Sequence, residues 1–183
     1  MSPHRSPRRS AAGFTLVELL VTVLIVSVGM LGLIKMEAAG VSESQVSRVR
    51  SLLTFQAESL AGTMRADRGY WASTTVAGPT YTFDGTAFTP SLGTTLDCTT
   101  TFCSPTDMAK SDLNAWASGF AAAFPAASAS ITCVTPTGAA CAVGSTVPST
   151  YDIKLTWTEK TIAVNRSSTG STGQVSLVLH VQP

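Results

Sequence analysis

Residues 13–21 read Gly13-Phe14-Thr15-Leu16-Val17-Glu18-Leu19-Leu20-Val21 and open an apolar run that continues to Ile34. Only Thr15, Glu18, Thr22, Ser27 and two glycines interrupt the run after Gly13. As a helix it would rise about 31 Å, close to the hydrocarbon thickness of a bilayer. Glu18 is the difficulty, because an unpaired carboxylate inside a bilayer is costly. What that carboxylate is for decides how the whole chain is organised.

Met1–Gly13 is short and polar, with Arg5, Arg8 and Arg9 and no acidic residue. Three arginines before the apolar run and a nearly neutral remainder after it predict the N-terminus inside and the head outside. Beyond residue 13, nine basic side chains face eleven acidic ones. That balance argues against a polyanion-binding groove, and no nucleic acid partner is expected.

Three readings fit the first forty residues. A secretory signal peptide would be cut near Ala38-Ala39-Gly40, but its apolar region would be unusually long and would contain Glu18. A simple membrane anchor leaves Glu18 without a purpose. A cut between Gly13 and Phe14 instead gives Phe14 a free α-amino group, one helical turn from Glu18. In a bundle of such helices the carboxylate can meet the positive N-terminus of a neighbour, and the attraction in a low-dielectric core offsets desolvation.

This third pattern resembles the class III processing signal of type IV pilins: a short basic leader ending in glycine, then Phe-Thr-Leu-Val-Glu and a long apolar helix. The resemblance implies cleavage by a prepilin peptidase between Gly13 and Phe14, N-methylation of Phe14, and Glu18 as the assembly carboxylate. It also implies contact with other minor and major pilins through the N-terminal helix. The subunit would sit in the inner membrane before assembly and in an extracellular pilus afterwards.

Periodicity extends the helix beyond the membrane. Val46, Val49, Leu53, Ala57, Leu60 and Met64 recur at helical spacing on one face, while Arg48, Arg50, Ser51, Glu58 and Arg65 fall largely on others. The spacing predicts one helix from about residue 14 to about 66, ended near Gly69. Gly29, Gly32 and Gly40 are its soft points. The resulting divisions are a leader at 1–13, a membrane or filament-core helix at 14–35, an amphipathic stem at 36–68 and a head at 69–183.

In the head, Asp84-Gly85 between Thr80–Phe83 and Thr86–Phe88 predicts a two-residue hairpin turn. Ser104-Pro105-Thr106-Asp107 is a helix start, with Ser104 as N-cap and Asp107 placed for a capping box. Ala109, Leu113, Trp116, Phe120 and Phe124 follow on one stripe, which reads as core. Tyr151–Thr158 and Val175–Gln182 alternate apolar and polar residues, as half-buried strands do. Ile131–Val134 adds a further strand. An antiparallel sheet packed on the stem helix, with a short helix alongside, gives an α+β, pilin-like fold.

The head stretches at 60–71, 103–125, 151–159 and 175–183 resemble the type IV pilus modification proteins of the PilV family, which are minor pilins. That family commonly has Met-Arg-Ala-Asn near the stem end, whereas this chain has Asp67 in place of the Asn. The segment 127–150 fits the family less well.

Cys98, Cys103, Cys133 and Cys141 all lie on the side predicted to leave the cytoplasm, where an even count favours disulfides. Three connectivities are open, with the local pairs Cys98–Cys103 and Cys133–Cys141 preferred. A four-thiolate zinc site is the alternative, disfavoured by C-x4-C and C-x7-C spacings without a C-x-x-C knuckle. No catalytic constellation is expected. His180, the one histidine after the leader, falls on the outward face of a terminal strand, and Asp107 and Asp112 read as a cap and an exposed helix residue. No hydrolase, phosphate-loop or zinc-protease motif occurs, and no cofactor is expected.

The sequence therefore points to a minor pilin. A minor pseudopilin of a type II secretion system, which shares the signal and stem, is the nearest alternative, and a DNA-binding head on a pilin stem is a more remote one.

Overall fold

A computed structural model of the chain describes residues 15–72, 80–135, 141–142, 149–160 and 172–183. The chain forms two compact units, Met1–Glu43 and Ser44–Pro183. The first contains the N-terminal part of helix α1, Leu16–Ala66. The second contains the rest of α1 together with the whole head. Stem and head thus share one core from Ser44 onward.

Within the second unit the helical face read from the sequence is the buried face. Leu53, Ala57, Leu60 and Met64 are buried, Val49 packs partly against the same core, and Val46 is half-buried. The helix ends where the spacing predicts, at about residue 66, but Gly69 is not what ends it. Helix α1 stops at Ala66, Asp67 leaves helical geometry (φ −103°, ψ 60°), and a four-residue helix α2, Arg68–Trp71, follows. Gly69 lies inside α2 rather than ending α1. A Cβ there would stand 3.3 Å from the Pro105 ring, so glycine lets α2 approach the start of the next helix.

That next helix, α3, spans Pro105–Ala123. The Ser104 hydroxyl accepts the Asp107 N–H at 3.2 Å and donates to Asp107 Oδ2 at 2.6 Å. A cap of this type is worth about 1 kcal/mol. The stripe Ala109, Leu113, Trp116 and Phe120 is buried, with Phe124 partly so. Leu113 and Phe120 each contribute about 1.5–3 kcal/mol by burial. Trp116 stacks on Phe120 with centroids 4.7 Å apart and donates its indole N–H to the Gln56 carbonyl of α1 at 3.0 Å.

Five strands form one antiparallel sheet: β1 Tyr81–Phe83, β2 Phe88–Thr89, β3 Ser128–Val134, β4 Thr150–Lys160 and β5 Thr172–Val181. Their spatial order is β2-β1-β3-β4-β5, so the β1–β2 hairpin forms one edge and β5 the other. The two terminal strands pair over their full alternating patterns, with Leu155 opposite Leu177 and Ile153 opposite Leu179. One face carries Tyr81, Phe83, Phe88, Ile131, Tyr151, Ile153, Leu155 and Trp157 into the core shared with α1 and α3. The other face is mostly polar, with Val134 and the exposed Val178 as exceptions. The α+β, pilin-like arrangement expected from the sequence is the observed one.

The first hairpin turns one residue later than the Asp84-Gly85 signal predicts. Phe83 pairs with Phe88, and Asp84 N–H reaches the Ala87 carbonyl at 3.2 Å, which places Gly85 and Thr86 at the tip. The cause is the Asp84 carboxylate. Its Oδ1 accepts the Thr86 N–H (2.8 Å), the Thr86 hydroxyl (2.7 Å) and the Ala87 N–H (2.9 Å). These bonds hold the carboxyl down at about 2. Gly85 takes the left-handed backbone conformation (φ +102°) that the tip demands.

Candidate functional site

Gly13 and Phe14, the expected cleavage and methylation residues, and the leader at 1–13 lie outside the described residues. The site begins for the structure at Thr15. Helix α1 starts at Leu16, two residues later than the periodicity suggests, because Thr15 acts as its N-cap. The Thr15 carbonyl accepts the N–H groups of Glu18 (3.1 Å) and Leu19 (3.3 Å), and its hydroxyl oxygen also receives the Glu18 N–H at 3.3 Å. The first turn of any helix leaves such donors unpaired, and a threonine oxygen is one of the usual remedies. Thr15-x-x-Glu18 has the spacing of a capping box, so this cap is visible in the sequence, where it overlaps the processing motif.

Glu18 occupies the third helical position, where a carboxylate complements the helix dipole. It is exposed, and among the described residues its carboxylate has no hydrogen-bond or ion-pair partner. The described residues therefore do not satisfy this group. Around it, Leu16–Ile34 has a mean hydropathy of 2.5 and none of its residues is buried. The two other hydroxyls in the run are paired within the helix, Thr22 with the Leu19 carbonyl (2.9 Å) and Ser27 with that of Val23 (2.6 Å). Glu18 is thus the polar group left unpaired in this segment.

Gly29, Gly32 and Gly40 sit inside the continuous helix, and a Cβ at any of them would meet nothing within 4 Å. The helix also runs unbroken through 38–40, the position of the alternative signal-peptide cut.

In the head, Cys98 is bonded to Cys103 and Cys133 to Cys141. The first bridge closes the loop leading into α3, and the second ties the end of β3 to the chain beyond it. Cys133 is buried in the core. Among the described residues no group of three or more His, Cys, Asp or Glu side chains is placed to hold a metal ion. His180 is exposed on β5, and its Nδ1 lies 2.6 Å from Oδ1 of Asp152, its direct cross-strand neighbour. Sequence alone could not supply that partner, since it depends on the β4–β5 register.

Asp107 is the cap expected of it, but Asp112 departs from its reading as an exposed residue. It is half-buried, and burial pushes its carboxyl up. Burial likewise raises Asp67, and the Asp112 charge adds to the effect, although a backbone hydrogen bond at Tyr70 opposes it. Asp67 Oδ2 is enclosed without any hydrogen-bond partner.

Residues 8–34 match the family model described as the prokaryotic N-terminal methylation motif. No curated protein and no solved structure matches the chain. The match covers Gly13, Phe14, Thr15 and Glu18 and the apolar run together. It supports a type IV pilin-like prepilin signal, and with it a pilin-like or pseudopilin subunit that is processed by prepilin peptidase and anchored in a membrane before assembly.

Proposed function

We propose that this chain is a minor pilin, a structural and assembly subunit of a type IV pilus. It is made as a precursor, inserted with its N-terminus inside, cut after Gly13 and methylated on Phe14. It then joins other minor and major pilins through α1 and helps to prime filament assembly, with adhesion and twitching motility as the downstream roles. It performs no enzymatic reaction in this reading.

One observation carries the proposal: Glu18 is the unpaired polar side chain of an otherwise lipid-compatible helical segment, in register with a matched methylation motif. A neighbouring Phe14 amino group is a partner of the right charge, one helical turn away in sequence. The unbroken helix at 38–40 supports this route over a signal-peptide cut there, because it offers no extended stretch.

The test is the intact mass and N-terminal residue of the membrane-derived protein, followed by recovery in sheared filaments. N-methyl-Phe14 at the start and presence in filaments are expected. Glu18→Ala should leave cleavage largely intact and reduce incorporation. Normal incorporation of that variant would overturn the pairing, and a chain beginning near Val41 would overturn the prepilin route.

A further inference from the structure

Beside the last turn of α1, one aromatic side chain stands almost wholly in water. Phe102 is 97 % exposed, although it belongs to a loop that the Cys98–Cys103 disulfide holds closed. Met108, in the first turn of α3, is exposed as well. Phe102 and Met108 line a groove of about 400 Å³ together with Cys103 and Pro105. The groove is apolar apart from two carboxylates, those of Asp67 and Asp112.

Those carboxylates decide what the groove can take. Both residues are half-buried, so their charges are partly withdrawn from water. Among the described residues no cation pairs with either one, and the Asp112 side chain makes no hydrogen bond. Arg65 and Arg68, which flank Asp67 in sequence, are exposed and form no ion pair. A metal ion would find two carboxylates here and no third ligand among the described residues. The apolar walls instead favour a positive charge carried on an aliphatic stem, which is the build of a lysine or arginine side chain. The exposed Phe102 ring adds a surface on which such a cation can rest.

The head has no such cation to spare close by. The segments outside the described residues at 73–79, 136–140 and 143–148 contain no Lys, Arg or His. Arg166 lies between β4 and β5, in a segment that leaves and rejoins the sheet at Lys160 and Thr172. Those ends adjoin Glu159, which is held by Arg50. Arg50 is about 24 Å along α1 from Ala66, where the groove begins.

We propose that this groove is a docking site for one lysine or arginine side chain of another polypeptide. Its stem lies along Phe102, Met108 and Pro105, and its charge sits beside Asp112 and Asp67. A second copy docked groove to groove is the poorer occupant, because a two-fold contact of this surface with itself sets carboxylates against carboxylates. The inference concerns the unit Ser44–Pro183 alone and does not depend on the filament reading.

The experiment places a photo-crosslinking benzophenone amino acid at position 102 of the full chain, expressed in its native cells. Ala122, exposed on α3 outside the groove, is the control position. The expected result is an adduct to one segment of another protein that contains a Lys or Arg. Replacing that basic residue with Ala should lower the adduct by about tenfold. The double variant Asp67→Asn, Asp112→Asn should lower it by about as much, with thermal unfolding no lower than the parent's, whereas Asp112→Glu should keep it. An adduct indifferent to these changes would overturn the inference. So would adducts to lipid, to another part of the same chain, to a second copy or to a segment without a basic residue, or a yield no greater than that from Ala122.

Discussion

Arg50, on the stem part of α1, and Glu159, near the end of β4, form a two-pronged ion pair across 109 residues of sequence. Arg50 Nε lies 2.8 Å from Oε1 and Nη2 lies 2.7 Å from Oε2. The Trp157 indole N–H donates to the same Oε1 at 2.9 Å. The carboxylate is buried at 8 % exposure, while the arginine side chain is 56 % exposed. The exposed partner thus reaches over to hold a carboxylate that the fold has already taken from water, and the planar fork suits arginine rather than lysine.

Arg50 holds Glu159 below its ordinary value, with the Trp157 bond contributing and burial opposing. A depressed carboxyl contributes stability above its unfolded value and loses it as pH falls through the folded one. Stability of the detergent-solubilised chain should therefore decline as pH drops below about 4.5. Glu159→Gln should flatten that part of the profile. Arg50→Ala should destabilise at neutral pH more than Arg50→Lys, because it strands the carboxylate. Thermal unfolding between pH 3 and 7 checks all three, and equal melting of Arg50→Ala and the parent would refute the role.

Asp67 carries the opposite sign. Its folded carboxyl is raised, chiefly by burial and further by Asp112, and Asp112 is raised by burial. Such groups favour the fold most below their unfolded value, and that stability is lost as pH rises through the folded one. Asp67→Asn removes the charge that burial disfavours on a side chain whose Oδ2 is enclosed without a partner. It should raise stability by about 1 kcal/mol at neutral pH and by less near pH 3. Urea unfolding at the two pH values is the measurement.

Tyr151 donates its hydroxyl to the Trp71 carbonyl at 2.9 Å in the core, and its ring meets Trp71 edge-on at 5.2 Å. Burial pushes its phenol up to about 12. Burial also raises Tyr70, helped by its 2.6 Å hydroxyl contact with Tyr81. Stability from these raised groups is present below pH 10 and is lost as pH rises towards 12. Ultraviolet titration should show Tyr70 and Tyr151 resisting ionisation until the fold is lost. Tyr151→Phe should cost about 1–3 kcal/mol, since it leaves the Trp71 carbonyl enclosed without its donor.

The two disulfides should differ in weight. By loop closure, losing Cys98–Cys103 costs about 2 kcal/mol and losing Cys133–Cys141 about 2.5 kcal/mol. Cys133 is also buried in β3, whereas the 98–103 loop lies at the surface. Replacing Cys133 and Cys141 with alanine should therefore be the more damaging change, read as a lower urea midpoint than for the Cys98/Cys103 alanine pair. The reverse order would mean that the surface loop anchors α3 more strongly than its burial indicates.

How much of this was legible without coordinates depends on the range of each interaction. The processing motif, Gly13 to Glu18, is contiguous, so its register is visible in the sequence itself. The buried face of α1 and the stripe of α3 follow from a 3.6-residue period, and the inward rows of β4 and β5 from a period of two. The Ser104 cap is set by residues three apart. These are local, and composition at fixed spacing determines them.

Tertiary structure decided the rest. The hairpin tip moved by one residue because the Asp84 side chain competed for backbone donors, which a turn dipeptide does not reveal. The pairing of β1 with β3, which places β1 between β2 and β3, joins segments distant in sequence, and no period encodes it. Arg50 lay outside the apolar stripe and Glu159 at the end of a strand, so neither sequence neighbourhood named the other. Asp152 met His180, and β5 became an edge of the sheet, only once register and strand order were fixed. Local periods choose which face of an element is buried, whereas pairing between distant elements depends on where packing of the whole core brings them.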